Sequence, residues 1–185
     1  MFLTEHTIAH SVKVANIMSL LAPTYHLVPT HMYVLGLLHD IGKLNVEGTK
    51  IELKKSEGHA YRGGDILKGL DFPYWQEVFC HGHPEHGYKS PAMDLLNSID
   101  LSVNSEGIVI GQTARLYSIK RRYGETSDQY ARARMIIDNL KEENYSLWFP
   151  SALRLLQAVQ RCADVEDATI HNLFVMINGD KYKNQ

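Results

Sequence analysis

An all-α fold, a helical bundle of about eight helices, is what this sequence predicts, and three observations predict it. Apolar residues recur at helical rather than strand spacing almost throughout. Gly, Pro and Asn clusters divide that pattern into about eight segments. The hydrophobic and charged fractions, 44% and 22%, are those of an ordinary folded protein rather than a disordered or fibrous one. At 185 residues the chain fits a single domain, 1–185, able to bury a core without disulfides or structural metal.

The first helix starts near Thr4, a suitable N-cap, and stops before Pro23. Ile8, Val12, Ala15 and Met18 make one stripe on it and Val14, Ile17 and Leu21 another, so it should be buried on two faces. Pro29 and Thr30 open a second helix that runs to about Asp40, where Gly42 serves as a C-cap. Leu44 to Lys55 lacks periodicity and reads as an exposed connector. A third helix from about Ser56 to Leu70, a fourth from Pro73 to about His81 and a fifth from about Pro91 to Val103 follow. Beyond Asn104, GIVIGQTARLYSIKRRYG reads as a longer helix ending at Gly124, and the next helix takes Ser127 or Asp128 as its cap. Residues 149–177 read as two more helices before a polar tail. A motif-bearing core, about 6–103, thus precedes a helical extension, about 104–185.

Formal net charge is −2, from 19 basic and 21 acidic residues, which disfavours a general electrostatic hold on nucleic acid or an anionic membrane. The two cysteines, Cys80 and Cys162, stand in no metal-type spacing and read as reduced, cytoplasmic thiols. No stretch is long and apolar enough for a membrane span, and the N-terminus has no secretory h-region. A cytoplasmic protein with no membrane partner is expected.

Ten histidines is high for this length, and seven of them fall between positions 10 and 83. His39 and Asp40 end the apolar run YVLGLLHDIGK, so a core helix carries two metal-capable side chains. A plain helix C-terminus would explain that pair alone; its neighbours change the reading. His10 stands in line with Val14, Ile17 and Leu21, and His59 with Gly63, Ile66 and Leu70. The Gly63-Gly64 pair would let another helix or a substrate come close. His83 sits in HGHPEHG, where His81 and His86 read as solvated loop histidines. Asp100 shares a stripe with Met93, Leu96 and Val103, where an unpaired carboxylate would be costly.

In the order His, His-Asp, His, His, Asp these residues resemble the HD superfamily of metal-dependent phosphohydrolases, over roughly 6–103, with the string HDIGK shared by several of its subfamilies. The resemblance implies a helical core in which His10, His39, Asp40 and Asp100 hold one divalent ion. HAYRGGDIL looks like the third-helix element of two-metal members, so His59 and His83 would hold a second ion, with Asp40 as the bridge. The ions could be Mn, Fe, Ni, Co, Mg or Zn. The spacing from His83 to Asp100 is similar to that of the HD hydrolases of diadenosine tetraphosphate. HGHPEHGYKSP keeps a histidine and Glu85 of the HD-GYP phosphodiesterases but not their DGxGYP element, and Ala114 stands where a closing helix of the family has Asp. Asp164 in CADVEDA competes with Asp100 as last ligand, but its helical line through Leu153, Gln157 and Gln160 reads as half-solvated.

The implied activity is cleavage of a phosphate ester or anhydride, in a small phosphorylated substrate such as a nucleotide, by a metal-activated water. Lys43 would place its charge on a phosphate oxygen, Arg62 would contact phosphate, and Glu85 or His86 would give a proton to the leaving group. The basic cluster of Lys120, Arg121, Arg122, Arg132 and Arg134 reads first as a solvated helix face, as Tyr61, Tyr88 and Trp75 read first as packing. Competing readings are a phosphodiesterase of cyclic dinucleotides or nucleic acid, a non-catalytic metal-binding or signalling domain, and a di-iron oxygenase.

Overall fold

Thr4 accepts a hydrogen bond from the Thr7 amide at 3.2 Å and so starts α1, Glu5–Leu21, in the computed structural model, which describes residues 3–44 and 58–142. Six more α-helices follow among the described residues: α2 Pro29–Leu38, α3 His59–Gly69, α4 Trp75–Cys80, α5 Pro91–Asp100, α6 Gln112–Tyr123 and α7 Asp128–Glu142. Short 3₁₀ turns at Ala22–Tyr25, Ile41–Lys43 and Pro84–His86 join them. The fold is all-α; the one β-bridge among the described residues, Val103 with Val109, stands alone. The expected connector 44–55, save Leu44, and the expected helices over 149–177, with Asp164, lie outside the described residues.

Pro29 and Pro91 occupy the first turns of α2 and α5, where a missing amide hydrogen costs nothing. Ser90 caps α5 by accepting from the Met93 amide at 3.0 Å, and Ser127 caps α7 by accepting from Tyr130. α1 packs along α2, α3 along α4, and α5 against α1. Between them lies one apolar core of Val14, Ile17, Met18 and Leu21 from α1, Met32 and Leu35 from α2, Leu67, Val78, and Leu95, Leu96 and Ile99 from α5. A smaller cluster, Leu101 with Ala133, Ile136, Ile137 and Leu140, seats α7. α1 is indeed buried on two faces, though Ile8 at its start is exposed.

Three expectations change. The stretch 104–111 is not helical, because the Asn104 side chain accepts from the amides of Glu106 and Ile108 and holds a tight turn. Gly107 enters that turn at φ 75°, close against the Ala9 carbonyl, and α6 begins only after Gly111. Gly42 is not a left-handed C-cap; it lies in the 3₁₀ turn, where a Cβ would fall 1.9 Å from the His59 carbonyl oxygen. The buried face of α3 is Ala60, Gly63, Gly64 and Leu67, while Ile66 and Leu70, taken as in line with His59, are exposed. The glycine pair does admit a helix: a Cβ on Gly64 would meet Phe79 Cβ of α4 at 2.4 Å.

Candidate metal centre

Helix packing brings side chains from α1, α3 and α5, and from the ends of α2 and α4, to one point. His10, His39 and Asp100 each offer a ligand atom, all within 4.8 Å of one another, and Asp40, His59 and His81 form a second such group. In the first, His10 Nε2 lies 2.9 Å from Asp100 Oδ1, and His39 Nε2 lies 3.8 Å from that same oxygen. In the second, His59 Nε2 is 3.1 Å from Asp40 Oδ1 and His81 Nε2 is 4.0 Å from it. Asp40 joins the groups, since its other oxygen, Oδ2, lies 3.6 Å from His39 Nε2 and 2.6 Å from Lys43 Nζ.

Backbone carbonyls set the direction of three imidazoles. Nδ1 donates to the Gly36 carbonyl from His39 at 2.7 Å, to the Val78 carbonyl from His81 at 2.6 Å, and to the Asn104 carbonyl from His10 at 2.9 Å. With Nδ1 so engaged, Nε2 of each ring turns toward the carboxylates, the arrangement that orients histidine as a metal ligand. His39 Nε2 is fully buried and has no hydrogen-bond partner. A buried nitrogen left so, facing two carboxylates, fits a cation between them.

Charge at the centre follows from burial and pairing. Burial lowers His39 and pushes His81 down to about 3, so both are neutral imidazoles. His10 is buried as well, which works to lower it, but the hydrogen bond to Asp100 and that carboxylate's charge win and raise it. Burial would raise Asp100 and Asp40. The His10 hydrogen bond and nearby imidazoles hold Asp100 below the usual range, and His39, His59 and Lys43 hold Asp40 well below it.

The structure thus brings together His10, His39, Asp40, His59 and Asp100 as the sequence expects, and adds His81 in the place expected of His83. His81 is 3% exposed, not a solvated loop residue. α4 ends at Cys80 and Gly82 turns the chain at φ 71°, which sends His83 the other way. His83 Nδ1 there bonds the Tyr61 hydroxyl and Glu85 Oε1, each at 2.9 Å. Glu85 also pairs with Arg132 Nε at 3.2 Å; burial works against ionisation of its carboxyl, but the His83 bond outweighs it and holds the group below the usual range. His86 Nε2 is 3.0 Å from the Tyr61 hydroxyl. Arg62 keeps a shielded, unpartnered Nε. Sequence reasoning gave no role to Glu77, a buried carboxylate that accepts from the Tyr88 and Ser90 hydroxyls at 2.9 Å and ties α4 to the start of α5; its only sequence signal was its place beside Val78.

A family model described as HD domain matches residues 7–142. No curated protein and no solved structure matches the chain.

Proposed function

Since the chain belongs to the HD-domain family, whose members bind divalent metals and are generally hydrolases, we propose that it is a metal-dependent phosphohydrolase cleaving a phosphate ester or anhydride in a small, nucleotide-like molecule. The observation that carries this reading is the pair of His/Asp groups joined through Asp40, with the buried, unpartnered Nε2 of His39 between carboxylates. His10, His39 and Asp100 would hold one ion, His59 and His81 a second, and Asp40 would serve both. Bound divalent ions supply positive charge to phosphoryl oxygens and make a water nucleophile available at neutral pH.

The chain's own residues then have distinct tasks. The backbone bonds to His10, His39 and His81 hold the imidazoles in place before any ligand arrives, so little reorganisation is needed on binding. Lys43, with its ammonium on Asp40 Oδ2 and a partly exposed side chain, would give its charge to a phosphate oxygen. Arg62, three residues after His59 with an unpartnered Nε, would add a second phosphate contact. His86 would give the proton to the leaving group. Glu85, already ionised between His83 and Arg132, is poorly suited to that task.

The test is to load metal-free protein with Mn, Mg, Ni or Fe and assay p-nitrophenyl phosphate, bis-p-nitrophenyl phosphate and a nucleotide panel. Turnover should require the ion. His39→Ala and Asp40→Ala should lose both bound ion and activity by at least roughly 100-fold, since outer partners of such ligands alone are worth 10–100-fold. No turnover by the wild type with any metal, together with His39→Ala and Asp40→Ala variants that hold as much ion as the wild type, would overturn the reading.

A further inference from the structure

Beside the ligand groups stands a second polar cluster drawn from three parts of the chain: Tyr61 on α3, His83, Glu85 and His86 in the loop after α4, and Arg132 on α7. We infer that Arg132, His83, His86 and Tyr61 form an oxyanion subsite that the Glu85 carboxylate fills from within, and that a phosphoryl group of the substrate, other than the one cleaved, displaces Glu85. This rests on the reading of the chain as acting on phosphorylated small molecules.

Donor convergence is the first argument. A single oxygen, Glu85 Oε1, accepts from His83 Nδ1 at 2.9 Å and forms an ion pair with Arg132, whose Nε is 3.2 Å away. The Tyr61 hydroxyl lies 2.9 Å from the same Nδ1 and 3.0 Å from His86 Nε2. An imidazole N–H and a guanidinium from separate elements meeting at one anionic oxygen, with a hydroxyl beside that imidazole, suit a bound phosphate, and the carboxylate supplies only one charge where a phosphate supplies up to two.

Glu85 is also easily moved. Its side chain is 44% exposed and that of Arg132 is 38% exposed, and ion pairs so open to water contribute little. Gly82 and Gly87 bracket the loop, both at positive φ and with open space where a Cβ would be. Arg132 has two guanidinium edges to offer a phosphate and can hold it bidentately.

Position gives the third argument. His83 follows His81 by two residues, and its Nε2 lies beside Gly58, where an added Cβ would come within 3.5 Å of it. Gly58 is the N-cap of α3, directly before His59. The cluster therefore abuts the helix start that carries a candidate ligand, and one extended anionic molecule could reach both. Of the basic residues on α6 and α7, Lys120 pairs with Glu125 and Arg134 with Asp138, away from this loop.

Inorganic phosphate binding to the metal-free protein, measured by titration calorimetry at low ionic strength, tests the subsite without any turnover. Glu85→Gln removes the internal anion with little change of shape and should tighten phosphate on the order of 5- to 10-fold. The gain should vanish in Glu85→Gln/Arg132→Gln. A Glu85→Gln protein that binds phosphate no tighter than wild type, or a gain that survives loss of Arg132, would overturn the inference. Tightened, Arg132-dependent binding in a protein that hydrolyses nothing with any metal would instead support the subsite and remove the proposed activity.

Discussion

His39 and His81 each donate Nδ1–H to the carbonyl three residues earlier, on Gly36 and Val78, and that bond decides which nitrogen faces Asp40. His83, two residues on from His81, has its Nδ1 tied to Tyr61 and Glu85. His81→Ala should therefore lower the bound metal by about one equivalent, read by elemental analysis after dialysis, whereas His83→Ala should keep it. The opposite pattern would return His83 to the ligand set. Residue types and helical stripes made His10, His39, Asp40 and Asp100 legible as candidates in the sequence, because each is a metal-capable group out of place on or beside an apolar face; His59 was singled out on a stripe, through Ile66 and Leu70, that is in fact exposed. The choice between His81 and His83 was not legible. It depends on where α4 stops and on the positive φ of Gly82, neither of which spacing alone encodes.

At the level of elements, the centre depends on the 3₁₀ turn Ile41–Lys43 lying hard against the start of α3. A Cβ on Gly42 would meet the His59 carbonyl oxygen at 1.9 Å and the Gly63 amide nitrogen at 2.6 Å, both backbone atoms that cannot swing aside. Gly42→Ala should cost about 1–3 kcal/mol in urea denaturation, as overpacking does, and weaken metal binding by parting His59 from Asp40. Gly69→Ala, with nothing within 4 Å of the new Cβ, is the control and should be near neutral. Equal effects of the two would show that the close approach does not matter. Helix starts at Thr4, Pro29, Pro91 and Ser127/Asp128 could be read from caps and prolines, since those preferences are local. The turn at 104–111 could not, since an apolar run like GIVI suits a helix as well as the bridge that Asn104 imposes. Yet that turn supplies the carbonyl that orients His10.

For the whole molecule, a metal held at the proposed centre would compete with protons for the same groups. His81 sits at about 3 when folded against an ordinary 6.5, so between those values the unfolded chain binds more protons at this position. The stability its neutral form contributes to the metal-free protein is lost as pH falls from 6.5 toward 3. His10 has the opposite sign: its value is raised, so its contribution is present below 6.5 and lost as pH rises through the raised value. An ion that binds only the folded state stabilises it by about 2.7 kcal/mol at a hundredfold excess over Kd. Because binding must displace the His10 proton, the rise in Tm on adding Mn should be large at pH 8 and small at pH 5.5, measured by calorimetry. A rise that is the same at both would contradict this linkage. The bond between His10 and Asp100 spans 90 positions of sequence. During synthesis, then, the first ligand group cannot exist until the ribosome has released α5 and that helix has docked on α1. The emerging amino-terminal half carries His10, His39 and Asp40 with no carboxylate partner from α5, so ion capture by this candidate group would belong to the finished bundle and mark its completion.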